Sequence, residues 1–134
     1  MTIQTSWEVM QQYREALDLA KWRKQVRAEH LEKIRLAGDH MRSLRHWLTV
    51  ASSHRTLKAR KAALAEHLAR INSLQTRQAV TFCCEIKLVG DSCQNNLRAA
   101  ISWADTATSS TTFKDWDECH DRVNACVADA LVQL

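Results

Sequence analysis

Residues 39–51 read Asp-His-Met-Arg-Ser-Leu-Arg-His-Trp-Leu-Thr-Val-Ala, and this stretch decides the fold class. Met41, Leu44, Leu48 and Ala51 follow one another at spacings of three, four and three. An α-helix stacks such positions on one face, whereas a strand would scatter them over both. The same period extends in both directions. Proline is absent from the 134 residues, and glycine occurs only at Gly38 and Gly90. Sheets and long loops use more of both. Abundant Ala, Leu, Arg, Gln and Glu are good helix formers. The expectation is an all-α protein: an antiparallel helical bundle of four to five helices in one domain over residues 1–134, with the first and third helices long. A chain of this length buries roughly two-thirds of its unfolded surface and needs no metal or disulfide to fold.

The boundaries follow from capping chemistry. Thr5 and Glu8 have the spacing of a capping box, which predicts a first helix from Ser6. Val9, Met10, Tyr13, Ala16, Leu17, Ala20, Leu31 and Ile34 share one face of it, the expected core stripe, interrupted by Lys24 and Arg27. A second stripe, Leu19, Trp22 and Val26, lies off that face, and two stripes imply two contacts. Gly38 reads as a helix C-terminus and Asp39 as the next N-cap. Ser52-Ser53 ends or bends the following segment. From Leu57 the seam runs through Leu64, Leu68 and Ile71, past Gln75 and Gln78, to Phe82, Ile86 and Val89, predicting one long helix over about 54–89. The two glutamines are either exposed or a register device in the seam. Gly90 then ends that helix, and Asp91 with Gln94 starts the next, which carries Leu97, Ala100, Ile101 and Ala104. Residues 106–112 are a loop by composition. Thr112 and Asp115 cap a final helix containing Trp116, Val123 and Val127.

Charge is strongly segregated. Twelve of the 19 basic residues lie between Lys21 and Lys61, against three acids, Glu29, Glu32 and Asp39, for a local net charge of +9 within an overall +4. The flanking segments are net acidic. A concentrated positive field attracts anionic partners, whether an acidic protein, phosphates or an anionic membrane surface. The acidic C-terminal part, with Asp115, Asp117, Glu118 and Asp121, is a competitor that can fold back on the block or pair with it in a second copy. Of the five tryptophans, Trp22 stands out because it sits off the main stripe beside basic residues, a composition typical of binding hot spots.

Residues 28–51 partly match a helix-turn-helix, with Arg42, Ser43, Arg45 and His46 on the second helix and Leu44 and Trp47 facing the core. Lys33 and Ile34 fit that pattern poorly. Cys83, Cys84, Cys93, Cys119 and Cys126 form an odd set without C-x-x-C spacing, so reduced, mostly buried thiols are expected. Cys83 and Cys84 are adjacent, which predicts that only one faces inward. A zinc site from Cys93, Cys119 and Cys126 would need all three gathered across helices. There is no glycine-rich phosphate loop, no H-E-x-x-H and no G-x-S-x-G. Cys119-His120-Asp121-Arg122-Val123 reads C-x-D-R-V, which resembles the catalytic-cysteine motif of the NEL-type bacterial ubiquitin ligases. The resemblance covers five residues of 134, and that family's domain is much longer. It implies Cys119 as a thioester nucleophile and Asp121 as its acidic partner.

The reading that follows is a non-enzymatic interaction protein: an adaptor, regulator or inhibitor that self-associates and docks on an acidic protein. Its contact residues are Leu19, Lys21, Trp22, Lys24, Val26, Arg42, Arg45, Lys58 and Lys61. The rival is a nucleic-acid-binding regulator using Arg42, Arg45, Lys58 and Lys61 on phosphates, and a ubiquitin-ligase fragment is the remote third. No cofactor or metal is implied. With no secretory leader in the first residues and no run of about 18 apolar residues, a cytoplasmic protein without a membrane span is expected.

Overall fold

A computed structural model describes residues 6–134. They form five helices and, among the described residues, no strand: α1 Ser6–Ser52, α2 Leu57–Ile71, α3 Gln75–Glu85, α4 Asp91–Ala107 and α5 Phe113–Gln133. The chain divides into two compact units, Met1–Glu32 and Lys33–Leu134. The second holds the core. α1 supplies Met41, Leu44, Leu48 and Ala51 to it, all essentially inaccessible. They meet Leu64 and Leu68 of α2, Val80 and Cys83 of α3, Leu97 and Ala100 of α4, and Trp116, Val123 and Val127 of α5. The spacing in residues 39–51 therefore faces inward as expected.

α1 is helical from Ser6, the first described residue, and the Thr5 of the expected capping box lies outside the described residues. α1 does not stop at Gly38, which corrects the expected turn there. Asp39 is not an N-cap, because it lies inside the continuous α1; its carboxylate accepts from Arg35 at 2.9 Å and from Arg42 at 2.6 Å. Those pairs span one helical turn and favour continuing the helix. Without the turn there is no helix-turn-helix in residues 28–51. A Cβ on Gly38 would come 3.3 Å from the Arg42 guanidinium, the far end of a flexible side chain. Gly38→Ala is thus expected to raise stability by roughly 0.5–1 kcal/mol through helix propensity. Urea melts of the two proteins check this; a loss would mean that the close Arg42 packing matters more than propensity.

α1 ends at Ser52, where the Ser52 and Thr49 hydroxyls donate back to the Leu48 and Arg45 carbonyls at 2.8 and 2.9 Å. Thr56 then caps α2, its hydroxyl accepting from the Ala59 amide at 3.1 Å. The single long third helix of the sequence reading is two shorter ones. α2 stops at Ile71, with the Asn72 amide donating to the Leu68 carbonyl and the Ser73 hydroxyl to the Arg70 carbonyl. Extended backbone at Leu74 restarts the chain as α3. Gln75 and Gln78 are exposed, so they specify no register.

α3 ends at Glu85, with Ile86 as its C-cap, rather than at Gly90. Lys87 has φ 55°, and the Leu88 and Lys87 amides donate to the Cys83 and Cys84 carbonyls at 3.0 and 3.4 Å. This is a Schellman ending with lysine at the left-handed position that glycine normally fills. Lys87→Gly should therefore stabilise by about 1 kcal/mol, read as a raised urea midpoint. Gly90 instead precedes α4 as its N-cap, with extended backbone. Burial of both Cys83 and Cys84 corrects the expectation that only one faces inward. Adjacent helix positions lie about 100° apart, and a buried arc can be that wide.

α4 and α5 pack antiparallel. Gln133 at the end of α5 donates to the Ser92 hydroxyl at the start of α4 at 2.8 Å and accepts from Asn96 at 2.9 Å. The Thr112 hydroxyl caps α5 by accepting from the Asp115 amide. At the other end of the core, the Trp116 indole donates to Ser52 at 3.0 Å, tying the first turn of α5 to the last turn of α1. No helix of the described residues is long and apolar enough to cross a membrane.

Candidate interaction surfaces

The first unit is a single amphipathic helix through residues 6–32, and its apolar residues are outside. Tyr13 is 68% exposed, Met10 65%, Trp22 60% and Leu31 60%. Trp7, Val9, Leu17 and Leu19 are exposed as well. The stripe from Val9 to Leu31 is therefore not core, contrary to expectation. Only its continuation at Ile34 packs against the buried cluster. Periodicity shows which residues share a face, but a stripe made to meet a partner has the same period as one made to meet a core.

Because the helix is unbroken, the angular position of each side chain follows from about 100° per residue. Taking Tyr13 as the centre, Val9, Met10, Ala16, Leu17, Ala20 and Leu31 lie within about 60° of it. Lys21, Arg23, Lys24 and Arg27 lie within about 80°. All five carboxylates of the segment (Glu8, Glu15, Asp18, Glu29 and Glu32) lie about 100° or more away. The sequence block of positive charge is thus resolved on this helix into a cationic, apolar front and an acidic back. With Arg14 as the fifth cation, residues 6–32 carry no net charge. Val9, Met10, Tyr13, Arg14 and Leu17 line a shallow groove of about 350 Å³ on the front.

The predicted contact residues are distributed between the two units. Leu19, Lys21, Trp22, Lys24 and Val26 belong to the first, and Arg42, Arg45, Lys58 and Lys61 to the second. Within the first, Leu19, Trp22 and Val26 stand together on the acidic half, while Lys21 and Lys24 stand on the cationic half. Trp22 and Val26 border a groove of about 280 Å³ with Arg23, Arg27, His30 and Leu31. Sequence reasoning named Trp22 but treated Tyr13 and Leu17 as core. The signal that could have separated them was the pair Lys24 and Arg27, which no buried stripe carries without partners.

In the second unit, Arg42 is held by Asp39. Arg45, Lys58 and Lys61 make no ion pair with a carboxylate among the described residues. The acidic C-terminal helix makes no ion pair with them: the Asp115 carboxylate accepts from the Thr111 hydroxyl at 2.9 Å and the Thr111 amide at 3.4 Å instead. Those bonds, the Thr111 hydroxyl first, hold its carboxyl below the usual value. Trp47 is half-buried and stacks on His67 at 4.1 Å, with His46 edge-on at 4.8 Å. Arg60 covers Phe113 at 4.9 Å and Arg122 covers Trp103 at 5.5 Å, so these guanidiniums serve as lids on aromatic rings.

The cysteines are all free thiols, with Cys126 half-buried and the other four buried. Burial, reinforced by Cys84 and Cys93, pushes the Cys83 thiol up to about 11. Burial also raises Cys119, the residue matching the ligase motif. Its thiol faces the core, whereas the Asp121 side chain is 86% exposed. The two are not arranged as nucleophile and partner in this conformation. The His120 ring lies 3.3 Å from the Asn124 amide. Among the described residues no group of three or more His, Cys, Asp or Glu is placed to hold a metal ion, so Cys93, Cys119 and Cys126 are not gathered.

No family model, curated protein or solved structure matches this chain.

Proposed function

We propose that this chain is a non-enzymatic interaction protein, an adaptor, regulator or inhibitor, whose helix over residues 6–32 docks on an acidic protein partner. The scaffold in this reading is a helical bundle built from residues 33–134. The observation that carries the reading is the exposure of Val9, Met10, Tyr13, Leu17 and Leu31 on one helical face, with Leu19 and Trp22 exposed and Val26 half-buried elsewhere on the same helix. Exposed apolar surface on this scale marks contact sites, since helices normally draw most of their stability from covering such a face. The test is co-purification of the full chain from its native host at 0.5 M salt. A stoichiometric protein partner should survive that salt, disappear in Leu17→Asp, and persist in Cys119→Ala. An unchanged partner set in Leu17→Asp would refute the reading, as would loss of an enzymatic activity in Cys119→Ala.

A second reading rests on the uncompensated Arg45, Lys58 and Lys61 of the second unit. They suit phosphates of a nucleic acid, with Arg42 withdrawn from the set by Asp39. Duplex DNA affinity should then fall with salt at a log–log slope of about −0.9 per phosphate contacted. The Arg45→Ala/Lys58→Ala/Lys61→Ala variant should flatten that slope by about two to three. No retention on heparin at low salt would remove this reading.

A further inference from the structure

We infer that the occupant of the Tyr13-centred face is an amphipathic helix whose apolar stripe is bordered by carboxylates. The inference rests on the docking role proposed above and names the chemistry of its partner. The front half of residues 6–32 carries four cations, Lys21, Arg23, Lys24 and Arg27, and no carboxylate, while the apolar residues run between and before them. A helix laid along Val9, Tyr13, Leu17 and Ala20 fills the groove between Met10 and Leu17 and reaches Lys24 and Arg27 at one end. Apolar anchors at positions three and four apart would seat against this stripe, and Asp or Glu at the flanking positions would meet the cations.

The alternatives fit the charge layout less well. A second copy pairing front to front sets those four cations against themselves or against apolar side chains, with no carboxylate on that half to receive them. An anionic membrane surface draws on the net positive charge of the helix that lies on it. Residues 6–32 have none, because the back half holds five acids. A protein helix can respond to angular segregation that a lipid plane averages away.

The experiment uses the full chain and two monomeric, back-stapled helical peptides, each with a leucine stripe. One is bordered by glutamates, the other by lysines. Fluorescence anisotropy in 0.15 M salt should show the glutamate-bordered peptide binding at least about tenfold more tightly. Lys21→Glu/Lys24→Glu/Arg27→Glu should invert that preference, and Leu17→Asp should remove binding of both peptides. All these positions are surface ones, and unchanged circular dichroism confirms the fold. Equal affinity for the two peptides, or no inversion in the triple variant, overturns the inference. So does a doubled mass by light scattering that Leu17→Asp abolishes, or binding to phosphatidylserine vesicles with no peptide bound. If the host partner depends on Leu17 but the peptides are not discriminated, the inference alone falls. If neither partner nor peptide responds to Leu17→Asp, the docking role falls with it.

Discussion

Trp116→Ala is expected to cost about 3–5 kcal/mol of folding stability, the range for emptying a fully buried aromatic site. Trp116 is the largest side chain that the core encloses completely. Its indole also donates to Ser52 across the interval from α5 to α1. Truncation removes the apolar contacts and leaves a cavity between elements that α1 and α5 hold apart. Ser52 keeps its bond to the Leu48 carbonyl, so its own desolvation adds little. Domains of this size are stable by only about 5–15 kcal/mol, so the loss is a large fraction of the total. Urea unfolding at pH 7 measures it. Trp116→Phe keeps most of the burial and loses the donor, and should cost about 1–2 kcal/mol. If alanine and phenylalanine cost the same small amount, the site collapses freely and the tie to Ser52 is unimportant.

The second large effect is of pH. His40 is completely buried in α1, its Nδ1 lies 3.2 Å from the Thr76 hydroxyl, and its Nε2 is enclosed without a hydrogen-bond partner among the described residues. Burial, and then the nearby Arg77 charge, lower its pKa from 6.5 to about 4. The native protein therefore holds His40 neutral where the unfolded chain takes up a proton. Between pH 6.5 and about 4 the unfolded state binds more protons, so stability falls as pH falls. At about 1.4 kcal/mol per unit, the decline amounts to about 3 kcal/mol across the window. Asp115 also contributes in the same direction, but only below its ordinary carboxylate range. Urea midpoints of the wild type and His40→Leu at pH 7, 5.5 and 4 provide the measurement. The wild type should lose stability across the series and the variant should lose much less. Parallel declines would mean that other groups carry the pH dependence.

Much of the second unit was legible before folding, for reasons tied to local chemistry. Met41, Leu44, Leu48 and Ala51 announce their common face by spacing alone. Thr112 announces a helix start because its hydroxyl can reach an amide three residues on, and it does. Helix ends were legible only where such short-range chemistry decides them. Gly38 looked like a stop, but its neighbour Asp39 is held by Arg35 and Arg42 within the same helix, and a glycine in a packed helix costs only about 1 kcal/mol. The break at Asn72–Leu74 was hidden by a seam that keeps its period across it. Lys87 left no sign of its left-handed backbone, because nothing in a lysine requires one.

The site divides in the same way. The basic residues from Lys21 to Lys61 are a fact of composition, and the helix period assigns Lys24 and Arg27 to Tyr13's side and Trp22 to the other. These statements need only the chain and the geometry of one helix. Whether Val9, Tyr13 and Leu17 are covered is a different kind of fact. It depends on how much apolar surface the other helices have left to offer. In residues 33–134 five helical segments meet one another's demands around Leu44, Leu97 and Trp116, whereas the Tyr13 stripe stays exposed. Sequence determined the helices, their faces and their charges through interactions a few residues long. Tertiary structure alone decided which face was core, because burial is settled by shape and area summed over the whole chain.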